Sequence, residues 1–335
     1  MSQKQRVHPQ SGPASQQGRG TSRKQAKPSS RRSSGCLPFL AAVLLAVLCL
    51  LITGLGVMAA PEIMAASQGG RTNLLLLGID RRAGTSWGFR TDTIMVVSLR
   101  PTDRAASILS IPRDLQVPIP GYGEDRINTA NVRGYNPEEP SAGPALLQAT
   151  IEGNFGIPID GYLMIDFVAF ERIVDALGGI DVDVPKALHD TRYPDPKPGD
   201  PYAYKTVHID PGLQHMDGQR ALEYARSRMS TTDFDRAKRQ QQVLLALREK
   251  ALRLDAIPRW PSLATTVLTS VKTDMNPGEL LVAGAFVLVI EPSRLKQAVL
   301  EPPLVTAYRR ADGAAVQLPQ WELIVPVLNE LFGPY

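Results

Sequence analysis

Asp80, Asp92 and Arg113 fall within one stretch, Asn73 to Asp114, in which three apolar runs are each bounded by charge. Two carboxylates at neighbouring element ends suit a hard cation such as Mg2+, which takes one or two protein carboxylates and fills its other positions with water and phosphate oxygens. On spacing alone, Asp residues flanking a turn more often serve capping and turn chemistry. The arginines change the weighting. Arg81, Arg90 and Arg113 stand beside the carboxylates, Arg226 and Arg228 form ARSR, and Arg236 and Arg239 follow on the next expected helix. Guanidinium forks match phosphate oxygens, so a cation with several of them fits a diphosphate better than a neutral or carboxylate ligand. Salt bridges among the same Asp and Arg residues are the competing reading. An otherwise acidic body whose arginines gather at element ends favours a ligand.

Other catalytic sets fail. His189, His208 and His215 have neither zinc-site spacing nor a GxSxG serine nearby, and no phosphate-binding glycine loop or dinucleotide fingerprint occurs. Cys36 and Cys49 lie at or within an apolar segment, which leaves the body without thiol chemistry.

The elements that must position these residues can be read from periodicity. LLLLGI, TIMVVSL and ASILSI have the length and bounding residues of buried strands. As an antiparallel meander they bring Asp80, Asp92, Arg113 and Asp114 to one edge. Pro144 to Phe155 reads as a helix closed by Gly156, Tyr162 to Phe167 as a strand, Phe170 to Leu177 as a helix and Ile180 to Val184 as a half-buried strand. Tyr193 to Tyr204, with four prolines, is expected to be a loop. A helix from Asp217 to Met229 precedes a second one that ends before Pro258. On that second helix Arg236, Gln240, Val243 and Leu247 share one stripe, so the core-facing side turns polar towards its N-terminus. Thr231, Thr232 or Asp233 is expected to cap it, with amides that favour an anion. Leu280 to Val289 and Trp321 to Leu331 are expected helices that complete the core without site chemistry; Gly278 to Ile290 is too short for a membrane span.

Charge divides the chain. The first 36 residues carry eight Lys and Arg and no Asp or Glu; since the whole chain is +4, the remainder carries −4. Leu37 to Ala60 is free of charge and long enough to cross a hydrocarbon core of ~30 Å as a helix. The basic side of a span faces the cytoplasm, which places the body outside the cell membrane as a single-pass protein. A cleaved signal peptide competes, helped by small residues near Met64, but the apolar run exceeds the usual ~7–15 residues and favours an uncleaved anchor. The basic tail is expected to be disordered, with no nucleic acid as partner. The expected organisation is a tail over 1–36, a transmembrane helix over 37–60, a linker over 61–72 and an extracytoplasmic body over 73–335, with a motif core to 255 and a C-terminal completion over 256–335.

From Asn73 to Gln242 the sequence resembles the LytR-CpsA-Psr family of bacterial cell-envelope proteins. The resemblance rests on ordered blocks: LLLLGIDRR, RTDTIMVVSL, SIPRD, DRIN, GIPIDGYLMIDF, VDALGGIDVDVP, MDGQRALEYARSR and DFDRAKRQQQ. It departs at Met229, where the family pattern often has His. It implies an α/β fold with a central mixed β-sheet between helical layers. It also implies a phosphotransferase that moves a glycopolymer, such as teichoic acid or capsule, from an undecaprenyl-pyrophosphate carrier to peptidoglycan. Asp80 and Asp92 would bind Mg2+. Arg90, Arg113, Arg226, Arg228, Arg236 and Gln240 would contact the diphosphate, with Asp92 and Arg113 as catalytic residues; Arg81 and Arg239 stand beside matching positions. The lipid chain would lie in an apolar pocket for which TIMVVSL, YLMIDF and VLLAL are available. A polyprenyl-pyrophosphate hydrolase using the same metal site and a non-enzymatic envelope sensor or transcriptional attenuator are the alternatives.

Overall fold

Apolar runs bounded by charge become the centre of the sheet. A computed structural model describes residues 70–80, 90–197, 199–200, 202–228 and 231–333. The expected tail, membrane span and most of the linker lie outside the described residues, as do Arg81 and Met229. Strands β1 (Thr72–Ile79), β2 (Thr91–Arg100) and β3 (Ala105–Ser110) pair antiparallel in sequence order, as the meander reading expects. Between Gly78↔Thr93 and Ile79↔Thr91 the register shifts, which leaves Asp92 as the extra residue of a bulge. Such a bulge re-aims a side chain at the end of a ladder.

A hairpin of β4 (Gln116–Ile119) and β5 (Gly123–Arg126) follows, then α1 (Thr129–Arg133) and α2 (Ala142–Phe155), which Gly156 ends at φ +68°. β6 (Gly161–Asp166) joins β1 in parallel and leads into α3 (Phe167–Ala176), whose N-cap is Asp166. β7 (Ile180–Val184) pairs with β10 (Gly212–Met216), while β8 (Leu188–Pro194) and β9 (Tyr204–Ile209) form a second hairpin between them. Tyr193, Pro194 and Tyr204 are therefore strand residues, and the loop is shorter than the proline content implies; Pro194 sits at the last pairing position, where a missing N–H costs little.

α4 (Gly218–Arg226) starts against α3 so closely that a Cβ on Gly218 would collide with the Glu171 backbone. It stops at Arg226 rather than Met229, because Ser227 turns out of the helix at ψ 142°. α5 (Asp233–Leu252), α6 (Trp260–Ser270), β11 (Lys272–Thr273) and α7 (Pro277–Val289) follow. The C-terminal part adds β12 (Leu295–Val299), a hairpin of β13 (Val305–Arg309) and β14 (Ala315–Pro319), and α8 (Trp321–Phe332). It does more than cover the core, since β12 joins β3 in parallel as an edge of the main sheet.

Among the described residues that sheet has the order β11-β6-β1-β2-β3-β12, with parallel and antiparallel pairs. Alternation sorts its side chains into two cores. Leu75, Leu77, Val96 and Leu109 face Leu147 and Ile151 of α2 and Leu328 of α8. Leu74, Met95, Val97 and Ile108 face Phe286 of α7 and Leu244 of α5. Burying each such side chain contributes ~1.5–3 kcal/mol, so a one-residue slip of β2 is excluded. Gln241 of α5 donates to Ser110 Oγ at 2.8 Å and to the Ala298 carbonyl at 2.9 Å, which fixes the helix over β3 and β12. Among the described residues no helix is long and apolar enough to cross a membrane.

Candidate functional site

The ends of β1 and β2, the turn after β3, the end of α4 and the start of α5 meet at one cleft. Arg113, in the turn that closes from Leu115 N–H to the Pro112 carbonyl, is its hub. Its Nη1 donates to Asp92 Oδ1 at 2.7 Å, Nη2 to Asp233 Oδ2 at 3.4 Å, and Nε lies 3.4 Å from Asp114 Oδ2. Burial works against this charge, but Asp92, with Asp233 and Asp114 behind it, outweighs burial and holds the guanidinium above the ordinary arginine value.

The two arginines of ARSR part company at Ser227. Arg226, the last residue of α4, stacks 3.9 Å above the Phe167 ring, donates to the Tyr193 hydroxyl at 3.3 Å and lies 3.6 Å from Asp80 Oδ2. Arg228 is past the turn, where its backbone N–H donates to Asp190 Oδ2 at 2.9 Å. Its side chain lies 3.7 Å from Asp92 and 4.0 Å from Asp233. One Asp of the expected metal pair thus faces one arginine of the motif.

Thr232 is the N-cap of α5, in a capping box with Asp235. That leaves Asp233 free of capping duty, and its Oδ1 sits 2.8 Å from Nη1 of Arg236. The Arg236 side chain comes from the polar end of the helical stripe and is only 5 % exposed. Nη1 nevertheless has no hydrogen bond, because its close contact with Asp233 lacks the alignment for one. Burial and then the neighbouring Arg228 push the Arg236 guanidinium down to about 10, still charged at neutral pH. Arg228 is lowered by burial and by Arg113. Arg113 and Arg236 thus line a cavity of about 290 Å³ together with Asp92, Asp233 and Gln240, and Arg228 stands beside it against Asp92 and Asp233. Such an arrangement favours an anion with several oxygens.

Arg239, which the sequence places beside a matching position, belongs to the scaffold. It is buried and donates from Nε to the Tyr224 carbonyl at 2.9 Å, from Nη1 to Thr231 Oγ1 at 3.1 Å and from Nη2 to the Ser227 carbonyl. It satisfies carbonyls at the end of α4 and so holds the ARSR turn. Arg239→Met is expected to lower unfolding free energy by about 2–4 kcal/mol, measured by denaturant titration; no change would remove this assignment.

Of the expected site residues, Asp92, Arg113, Arg228, Arg236 and Gln240 come together, and Asp80 pairs with Arg226 alongside. Arg90 is exposed just before β2, and no ion pair among the described residues ties it to the cluster. Sequence reasoning missed Asp233 as a partner of arginines. Its spacing three residues before Arg236 was the available signal. It also placed no site residue after 255, yet Val299 and Gln317 line the cavity.

The donor set decides whether Mg2+ fits. Among the described residues no group of three or more metal-ligating side chains converges. Asp80 and Asp92 stand partly exposed at adjacent strand ends, each facing an arginine, and are the carboxylates available to Mg2+, which takes one or two when phosphate and water complete its shell. Met95, Val97, Leu163, Leu244 and Leu245, from the three expected lipid-lining segments, gather in one apolar cluster between the sheet and α5 and α7.

The LytR_cpsA_psr family model matches residues 58–324. The polyisoprenyl-teichoic acid–peptidoglycan teichoic acid transferase TagU of Oceanobacillus iheyensis is 32% identical over 210 residues, covering 62% of this chain and 60% of TagU. Regulatory protein MsrR of Staphylococcus aureus is 29% identical over 256 residues, covering 74% and 71%. Among solved structures, Bacillus subtilis TagV superposes with a TM-score of 0.63 at 25% identity, over 80% of this chain and 99% of TagV. TagT bound to LIIa-WTA gives 0.59 at 25% identity, over 78% and 89%.

Proposed function

The chain belongs to the LytR_cpsA_psr family, and on that premise we propose that it is a membrane-anchored phosphotransferase. It moves a teichoic-acid-type or capsular glycopolymer from an undecaprenyl-pyrophosphate carrier to peptidoglycan outside the cell. The observation that carries this reading is the convergence of Arg113, Arg228 and Arg236 on one cleft beside Asp92. The names of TagU and TagV, both polyisoprenyl-teichoic acid–peptidoglycan transferases, support the substrate class.

In this reading an acceptor hydroxyl oxygen attacks the phosphorus linked to the glycan. The bond from that phosphorus to the bridging oxygen breaks, and polyprenyl monophosphate leaves. The three guanidiniums stabilise charge that builds on the phosphoryl oxygens. Asp92, at the bulge, orients the incoming hydroxyl and takes its proton, while Gln240 lines the wall beside the phosphates. Asp80 and Asp92 would hold Mg2+, which supplies further charge neutralisation on the diphosphate when bound. For the prenyl chain to lie along the apolar cluster of Met95, Val97, Leu163 and Leu244, which is packed as core, the sheet must part from α5 and α7.

The purified full chain in detergent, given a polyprenyl-diphosphate glycan and peptidoglycan oligomers, is expected to form a covalent glycan–peptidoglycan product. Chelation of divalent cations should stop the reaction and added Mg2+ restore it. Lipid phosphate released without coupling would assign a hydrolase instead, and transfer unaffected by chelation would remove the metal from the account.

A further inference from the structure

Asp233 stands where an anion would. It is the first residue of α5, and since Thr232 supplies the cap, its carboxylate closes no hydrogen bond of the helix end. Its two oxygens address three guanidiniums: Oδ1 lies 2.8 Å from Arg236 Nη1 and 4.0 Å from Arg228 Nε, and Oδ2 accepts from Arg113 Nη2 at 3.4 Å. One negative charge thus faces three positive ones, and the hydrogen bonds are poor. Arg236 Nη1 and Arg113 Nε are buried without a hydrogen-bond partner. Asp92 differs, because its 2.7 Å bond to Arg113 is well made. A planar carboxylate spans this fork only loosely, whereas tetrahedral phosphoryl oxygens can reach donors that it leaves unmet.

We propose that Asp233 is a resident counter-anion, occupying one phosphate position of the empty cleft and displaced from it when the diphosphate enters. The inference rests on the diphosphate reading of the cleft. With its side chain 42% exposed at the rim, Asp233 has room to swing into solvent. While seated, it keeps three like charges positioned without a ligand, so the arginines need not be ordered at the moment of binding. It also competes with every phosphate that binds, which weakens the hold on the lipid phosphate product and speeds its departure. Asp233 is thus a positioning residue of the empty site.

The test uses inorganic pyrophosphate and the full chain in detergent at fixed Mg2+. Calorimetric titration is expected to show about tenfold tighter binding to Asp233→Asn than to wild type, because the resident charge no longer competes. Without pyrophosphate the variant should melt below wild type, since the three guanidiniums then keep only Asp92 and Asp114 as counter-charges and Arg236 loses its ion-pair partner. Saturating pyrophosphate should raise its Tm by more than it raises that of wild type. A purely structural Asp233 would give the lower Tm without the larger rescue. Equal or weaker pyrophosphate binding by Asp233→Asn, with wild type binding normally, overturns the Asp233 assignment alone. Failure of both proteins to bind overturns the diphosphate reading with it.

Discussion

Arg113→Ala is expected to slow glycan transfer by about 10²–10³-fold, the usual effect of deleting one preorganised donor to a developing negative charge. The geometry argues for the upper end of that range. Arg113 touches Asp92, Asp233 and Asp114, with its side chain 19% exposed. Its loss leaves three carboxylates facing an incoming diphosphate, so repulsion adds to the missing donor. Arg113→Lys keeps the charge but loses the fork that reaches three partners at once, and is expected to recover only part of the rate. Steady-state transfer measured beside a melting curve separates this from unfolding. A rate within twofold of wild type would remove Arg113 from the chemistry.

Asp92→Asn is the second large effect. Asparagine keeps the shape while removing the charge that engages Arg113 at 2.7 Å and Arg228 at 3.7 Å, and it withdraws one of two carboxylates available to a cation. The expected result is a loss of transfer of about 10²-fold or more, with half-maximal activity moved to higher Mg2+. The Mg2+ titration separates the two roles. A lower rate at an unchanged Mg2+ requirement would leave Asp92 as an arginine partner and proton acceptor only.

These expectations show which parts of the site pattern alone could carry. The meander was legible because LLLLGI, TIMVVSL and ASILSI are near-continuous apolar runs, as strands buried on both faces tend to be. Its consequence, that Asp80, Asp92 and Arg113 share an edge, followed from connectivity. The bulge at Asp92 was not legible, since a bulge is a property of pairing rather than of one strand's sequence. Asp233 was one of three cap candidates, because Thr, Thr and Asp all have that propensity at a helix start, and the fold gives the role to Thr232. β12 was missed because LKQAV is short and half polar, as edge strands are. The strand ends around Tyr193 and Tyr204 were hidden by prolines whose missing N–H groups fall at the end of a two-stranded ladder. Arg226 and Arg228 were both expected at the diphosphate. Their separate partners, Asp80 and Asp92, follow from a helix end at Ser227 that periodicity does not mark.

The central claim is that this cleft transfers phosphate together with the glycan, and phosphorus labelling tests it most directly. A polyprenyl-diphosphate glycan labelled at the phosphorus next to the sugar is given to the full chain with Mg2+ and peptidoglycan oligomers, in parallel with donor labelled at the phosphorus next to the lipid. The account predicts that the sugar-side label enters peptidoglycan and the lipid-side label stays in polyprenyl monophosphate, with both movements lost in Arg113→Ala. Sugar-side label recovered as soluble glycan phosphate at the same rate with or without acceptor, or both labels leaving together as pyrophosphate, would contradict it.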